Sequence, residues 1–78
     1  MAIKAEDVID IIRAAMGTDE IDIESSMDTV EAWDSLSHLN ILVALDTSFD
    51  GNVAVIEEMA STTSVREILD LLKHHSLI

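Results

Sequence analysis

Asp34 and Ser35 stand directly before a strongly apolar run with helical spacing. Asp34 is a favourable N-cap, because its carboxylate can accept from free N–H groups of the first turn and its charge suits the positive end of the helix dipole. Ser35 would then lie in the first turn, with its hydroxyl at the helix end that tolerates an incoming phosphate group. The pair fits a site of covalent modification, and it fits an ordinary capped helix as well.

His38 follows Ser35 by one helical turn, so Asp34, Ser35 and His38 could in principle form a hydrolase triad. Side chains at i and i+3 can meet on one helix. However, the sequence supplies neither an oxyanion hole nor a deep pocket, and a chain this small rarely shapes one. We therefore do not expect an enzyme. We interpret His38, His74 and His75 as surface residues and not as metal ligands.

Residues 18–33 carry six acidic side chains, which raises the question of a calcium site. An EF-hand loop that began at Asp22 would need glycine at its sixth position and a bidentate glutamate at its twelfth. The sequence has Met27 and Trp33 there, so the match fails. Loose binding of divalent cations and a solvated acidic face are the two interpretations left, and we favour the second.

Apolar spacing predicts that a first helix covers residues 4–16 and stops at Gly17. Residues 18–33 then lose the helical period. We interpret them as an ordered loop, since a strand would find no partner elsewhere in the chain. The side chains expected to pin this loop to the core are Ile21, Ile23, Met27, Val30 and Trp33.

The apolar run after Asp34 predicts a second helix over residues 35–49. Its apolar arc is broader than packing against one neighbour requires. We therefore expect a central helix, with Leu36 and Val43 left available to partner proteins. The predicted arc comprises Leu36, Leu39, Leu42, Val43, Leu45 and Phe49.

The last third of the chain predicts one short and one longer helix. The short helix covers residues 53–60, and Ser64 with Glu67 has the spacing of a capping box. The apolar positions of the last helix are Val65, Ile68, Leu69 and Leu72. The expected fold class is all-α: a small four-helix bundle with three long helices, one short helix and a long first loop.

Length and charge set the broad class of the protein. Its 78 residues have room for a single domain with one core, and no cysteine is present to support it with a disulfide. A net charge of -12 disfavours nucleic acid and anionic membranes and attracts basic protein surfaces, although it also serves plain solubility. Residues 1–12 are too acidic for a signal or transit peptide, and no apolar run reaches membrane-spanning length. We expect a soluble, cytoplasmic monomer.

The run WDSLSHLNILVALDTSF, residues 33–49, resembles the acyl carrier protein family, in which a DSL serine opens a long second helix that ends in an aromatic residue. The resemblance covers nearly the whole chain, because the flanking segments fall where the family has its other helices. It implies that Ser35 carries 4'-phosphopantetheine, transferred from coenzyme A by a separate phosphopantetheinyl transferase. It also implies that Asp34 helps to position that enzyme's metal or basic residues.

The same resemblance implies an acyl pocket and a docking surface for acyl-loading and acyl-processing enzymes with basic surfaces. For the pocket, plain core packing is the competing explanation of each candidate. The pocket candidates are Leu42, Leu45, Ile56, Met59 and Ala60. The docking candidates are Leu36, Val43, Asp46 and Glu57.

The second helix departs from the fatty-acid type of the family, whose second helix bears several carboxylates. Here Asp34 and Asp46 are the main acids, and the polar positions are Ser37, Asn40, Thr47 and Ser48. This favours a freestanding carrier for a dedicated lipid, polyketide or nonribosomal peptide pathway over general fatty acid synthesis. The alternative is an acidic helical protein-binding module that never carries a prosthetic group.

Overall fold

The computed structural model describes residues 3–78, and its regular elements are all helical. This confirms the all-α class, as three α-helices and one 3₁₀ helix. No helix in the described part of the chain is long and apolar enough to cross a membrane. In chain order the elements are α1 (Ala5–Met16), α2 (Ser35–Ser48), the 3₁₀ helix (Glu57–Ser61) and α3 (Val65–His74).

α1 begins and ends as its sequence predicts. The backbone N–H of Lys4 donates to the carboxylate of Asp7 across 2.9 Å, which satisfies a donor at the helix entry. Gly17 ends the helix in the left-handed conformation, at φ 69°. Val8 and Ile12 are fully buried, so one face of α1 lies in the core.

The long first loop is ordered and attached to the segment before α3. The N–H of Met27 donates to the carbonyl of Thr63 across 2.8 Å. Beside it, Ser26 and Ser64 form an antiparallel bridge, an isolated pairing that belongs to no strand. These backbone bonds hold the loop in place without requiring a sheet.

The prediction that Ile23 pins the loop is wrong, because this residue is 44% exposed. Asp22 accepts from the N–H of Glu24 at 2.8 Å through its carboxylate, and from the N–H of Ser25 at 3.1 Å through its carbonyl. The resulting turn places Ile23 at an outer corner, and Ser25 is buried in its place. Of the other predicted anchors, Ile21 and Trp33 are buried, and Met27 and Val30 are partly buried.

The short third helix is smaller than predicted. Residues 53–56 form turns, and the 3₁₀ helix begins only at Glu57. Three residues per turn place Ile56 and Met59 on one side, and both are buried. α3 follows with Ser64 as its N-cap, since the Ser64 hydroxyl accepts from the N–H of Glu67 at 3.2 Å. The predicted apolar positions of α3 are all buried: Val65, Ile68, Leu69 and Leu72.

The face of α2 that packs against the core differs from the face that the predicted apolar arc indicates. Because the helix is apolar on nearly every side, the pattern alone could not choose the inward face. The residues that face the core are spaced by three or four positions: His38, Ile41, Leu45 and Phe49. Three members of the predicted arc are exposed instead, namely Leu36 (68%), Leu39 (56%) and Val43 (59%).

Candidate functional site

Ser35 is the first residue of α2 and is exposed. Asp34 caps the helix, with its Oδ1 accepting from the N–H of Ser37 at 2.9 Å. This backbone N–H of Ser37 holds the pKa of the Asp34 carboxyl below its usual value, so the group is ionised at neutral pH. The exposed hydroxyl of Ser35 therefore has a fixed negative charge as its neighbour.

The backbone around Ser35 is held on both sides. The hydroxyl of Ser37 donates to the carbonyl of Ala32 at 2.8 Å, and the N–H of His38 donates to the carbonyl of Asp34 at 2.9 Å. The loop before α2 and its first turn thus form one hydrogen-bonded unit. Ser35 therefore lies on a segment whose neighbouring residues are hydrogen-bonded on both sides.

His38 is buried, which corrects its interpretation as a surface residue. The indole Nε1–H of Trp33 donates to His38 Nδ1 at 3.1 Å, and the two rings stack with centroids 6.0 Å apart. On the other side of the ring, Nε2 lies 3.1 Å from the carbonyl oxygen of Met59 and 3.2 Å from the hydroxyl of Thr62. The imidazole therefore joins the loop, α2 and the 3₁₀ helix at one point.

The burial of His38 could have been predicted from Trp33, although the apolar pattern of α2 did not indicate it. A buried indole needs an acceptor for its N–H, and buried polar groups are nearly always hydrogen-bonded. Trp33 lies at the entry of α2, and His38 is the one side chain with a free acceptor on the helix stripe that faces inward. Requiring a partner for Trp33 would have identified His38 as an inward residue.

An exposed apolar stripe runs along α2 from the residue after Ser35. The docking candidates Leu36 and Val43 both lie on it, and Leu39 lies between them. Val55, in the turns after α2, is a further exposed apolar residue. Large exposed apolar side chains that cluster in this way mark interaction sites on soluble proteins.

A surface groove of about 220 Å³ lies between α2 and the turns that follow it. The pocket candidates Leu42 and Ile56 line it, whereas Leu45 and Met59 lie in the core. Ala60 is exposed and does not line the groove, because the 3₁₀ helix turns Met59 inward in its place. The lining residues are Leu39, Leu42, Val43, Asp46, Thr47, Val53, Ala54 and Ile56.

The two acidic docking candidates have different environments. Asp46 is half-buried, and its Oδ1 accepts from the N–H groups of Val53 at 3.2 Å and Ala54 at 2.8 Å. It therefore fixes the turn that forms one wall of the groove. Glu57 is exposed in the first turn of the 3₁₀ helix.

Among residues 3–78, no group of three or more histidine and carboxylate side chains is arranged to hold a metal ion. Comparison of the chain with models of known protein families, with curated proteins and with solved structures gave no significant match. The geometry around Ser35 and the groove is therefore the basis for any functional proposal.

Proposed function

We propose that this chain is an acyl carrier protein that bears 4'-phosphopantetheine on Ser35. The observation that carries the proposal is the exposed hydroxyl of Ser35 at the start of α2, directly after a capping carboxylate. A substituent there points into solvent and can reach the active sites of partner enzymes. The helix N-terminus also favours the phosphate that links such an arm to the protein.

The modification is a phosphoryl transfer in which the protein supplies the nucleophile. The Oγ of Ser35 attacks the phosphorus next to the pantetheine of coenzyme A, the pyrophosphate bond breaks, and adenosine 3',5'-bisphosphate leaves. The hydroxyl proton passes to a base of the phosphopantetheinyl transferase. In this step, the ionised carboxylate of Asp34 attracts the metal ion or the basic residues of that enzyme. Once attached, the arm supplies a thiol that holds acyl groups as thioesters.

The groove next to α2 is the proposed resting place for the carried acyl group. Apolar side chains, with Leu42 and Ile56 among them, form most of its lining. Asp46 and Thr47 bring polar atoms to its edge. Binding there would shield part of an acyl chain from water, with a gain of roughly 25 cal/mol for each Å² of apolar surface removed.

The exposed face of α2 supports a carrier for a dedicated lipid, polyketide or nonribosomal peptide pathway. Leu36, Leu39 and Val43 give this face an apolar centre. The carboxylate of Asp46, also on α2, is already bonded to backbone N–H groups. Partner enzymes would then combine apolar contact along α2 with basic groups that meet the surrounding acidic surface, including Glu57.

The alternative is a helical protein-binding module without a prosthetic group, and the exposed apolar stripe of α2 is the observation that favours it. A serine hydrolase has less support. Both ring nitrogens of His38 are directed at Trp33, Met59 and Thr62, which leaves neither nitrogen to activate Ser35.

Thiol titration separates the carrier from the binding module, because the 78 residues contain no cysteine. After incubation with coenzyme A, magnesium and a phosphopantetheinyl transferase of broad specificity, and removal of free coenzyme A, we expect one titratable thiol per chain. Ser35→Ala should give none. Ser48→Ala, at the far end of α2, is the matched control and should behave as the wild type. A wild-type chain that is folded but gains no thiol would favour the binding module.

A further inference from the structure

We propose that His38 is a positioning residue that acts as a proton-controlled latch between Trp33, at the end of the first loop, and the start of α2. In its neutral form the imidazole holds Trp33 on one side and the carbonyl of Met59 on the other. Protonation breaks the Trp33 bond and loosens the backbone that precedes Ser35.

The hydrogen-bond partners determine which form of the ring the fold requires. An indole N–H can only donate, so Nδ1 of His38 must present its lone pair to Trp33. The proton of a neutral ring is then on Nε2, where it donates to the carbonyl of Met59. The Thr62 hydroxyl donates to this carbonyl at 2.7 Å and completes the cluster. Every partner is satisfied by the neutral Nε2–H tautomer.

A protonated ring carries an N–H on both nitrogens. The N–H on Nδ1 would then point at the indole N–H of Trp33, and neither could accept from the other. Because both side chains are buried, the loss of this bond leaves a donor without a partner unless the chain rearranges. The hydrogen bond is lost because both facing groups, the Nδ1–H of His38 and the indole N–H of Trp33, are then donors. No other change in the protein is needed to break it.

Charged groups on the surrounding elements do not relieve this conflict. The hydrogen-bond partners of the ring are an indole, a carbonyl and a hydroxyl, all of them uncharged. Arg13 pairs with Asp10, Asp34 caps α2, and Glu67 accepts from Thr63 and Ser64. None of the charged or titratable groups of the neighbouring elements bonds to the ring; they are Glu6, Asp7, Asp10, Arg13, Asp34, Asp46, Glu57, Glu58, Arg66, Glu67, Asp70, Lys73 and His74.

Trp33, which the latch holds, is adjacent to the candidate site at Ser35. Trp33 immediately precedes Asp34 and Ser35, and Met59 lies on the segment that continues from the groove wall. Release of Trp33 therefore frees the entry of α2, while the Nε2–H of His38 keeps its bond to the carbonyl of Met59. Any effect of Trp33 release on an attached arm or acyl group rests on the proposed function. The latch itself does not depend on that function.

Tryptophan fluorescence of the unmodified chain tests the latch directly. Trp33 is the only tryptophan and the chain has no tyrosine, so the emission reports this cluster alone. On acidification from about pH 8, we expect one transition in emission before far-UV helicity begins to fall. His38→Gln, whose amide both accepts and donates but does not titrate, should lose the transition. His74→Gln, on an exposed residue, should keep it.

Three results would overturn the latch. The first is a transition that persists in His38→Gln, and the second is a loss of helicity in parallel with the emission change, which would indicate general unfolding. The third is wild-type emission that stays flat until helicity is lost. If His38→Gln fails to fold, NMR of the wild-type imidazole and the Trp33 indole decides the matter: the indole proton must lose its hydrogen-bonded shift as His38 gains its second proton. Because no arm is attached, failure here leaves the proposed function untouched.

Discussion

The indole N–H of Trp33 donates to Nδ1 of His38 across 3.1 Å, between two rings that stack at an interplanar angle of 26°. This contact joins the last loop residue before Asp34 to the second turn of α2. Through Nε2, the same imidazole reaches the carbonyl of Met59 in the 3₁₀ helix. A single side chain thus fixes the direction in which the loop enters the helix that begins at Ser35.

His38→Leu should destabilise the protein although leucine is the more apolar residue. The substitution leaves the buried indole N–H of Trp33 without an acceptor, which we expect to cost about 1–3 kcal/mol of unfolding free energy. Urea denaturation monitored by circular dichroism measures the change. His74→Leu, at an exposed position, should stay within about 0.5 kcal/mol of the wild type. Equal stability of the two variants would contradict the role given to the Trp33–His38 bond.

Acid should weaken the fold through Asp34 and Glu67. Hydrogen bonds from Ser37 to Asp34, and from Thr63 to Glu67, hold both pKa values below their usual range. A carboxyl with a lowered pKa in the folded state contributes stability that is complete above its ordinary pKa, about 4, and is lost as the pH falls through the lower folded value.

Asp34→Asn separates the cap from the charge, since asparagine also accepts at an N-cap but does not titrate. We expect its melting temperature to fall less steeply than that of the wild type between about pH 5 and about pH 2. Asp70→Asn, on the exposed side of α3, controls for the removal of one carboxylate. Identical slopes for the wild type and Asp34→Asn would show that the cap charge is not linked to folding.

Leu36→Ser and Val43→Ser should impair partner reactions without destabilising the protein. Both residues are exposed, so we expect changes within about 0.5 kcal/mol in unfolding free energy. The kcat/KM of the phosphopantetheinyl transferase for the variants should fall about tenfold, which corresponds to about 1.4 kcal/mol of lost contact. Ile23→Ser removes an exposed apolar residue in the first loop and should react as the wild type. A loss of the same size in Ile23→Ser would argue against a docking role for α2.

Asp46→Ala should open the wall of the groove. It removes the acceptor for the N–H groups of Val53 and Ala54, so we expect hydrogen exchange at these two amides to accelerate about tenfold or more. Thr47→Ala changes the neighbouring exposed side chain and should leave both amides protected. Unchanged exchange in Asp46→Ala would mean that the turn holds without the carboxylate.

Adding charge to α2 tests the proposal of a dedicated pathway. Asn40→Glu combined with Thr47→Glu places carboxylates on the polar side of the helix, and both positions are exposed. If the lack of carboxylates on α2 is what prevents this chain from serving fatty-acid synthase enzymes, the phosphopantetheinylated double variant should be more active with those enzymes than the wild type. Asn40→Gln combined with Thr47→Ser is the neutral control. If activity does not rise, the charge on α2 is not the feature that distinguishes a dedicated carrier from a carrier of general fatty acid synthesis.

The sequence predicted the helices better than it predicted their orientation. Caps mark element ends locally, so Gly17, Asp34 and Ser64 were identified from residue type alone. The inward face of α2 could not be chosen in this way, because apolar residues surround the helix and only tertiary contacts decide between them. Ile41 faces the core, although the predicted arc omitted it, and Leu39 is exposed.

The remaining errors have a shared physical origin in short-range backbone geometry. The turn at Asp22 breaks the alternation that placed Ile23 in the core. The 3₁₀ helix has a tighter period than the predicted α-helix, so Met59 turns inward and Ala60 outward. Apolar spacing read with a single helical period cannot anticipate either effect.

The central claim is that Ser35 accepts a phosphopantetheinyl group, and intact mass spectrometry tests it most directly. The folded chain is incubated with coenzyme A, magnesium and a phosphopantetheinyl transferase of broad specificity, beside Ser35→Ala and Ser48→Ala. We predict a gain of one phosphopantetheinyl group in the wild type and in Ser48→Ala, and no gain in Ser35→Ala. An unchanged wild-type mass, or a gain that survives in Ser35→Ala, would contradict the assignment of Ser35 as the attachment site.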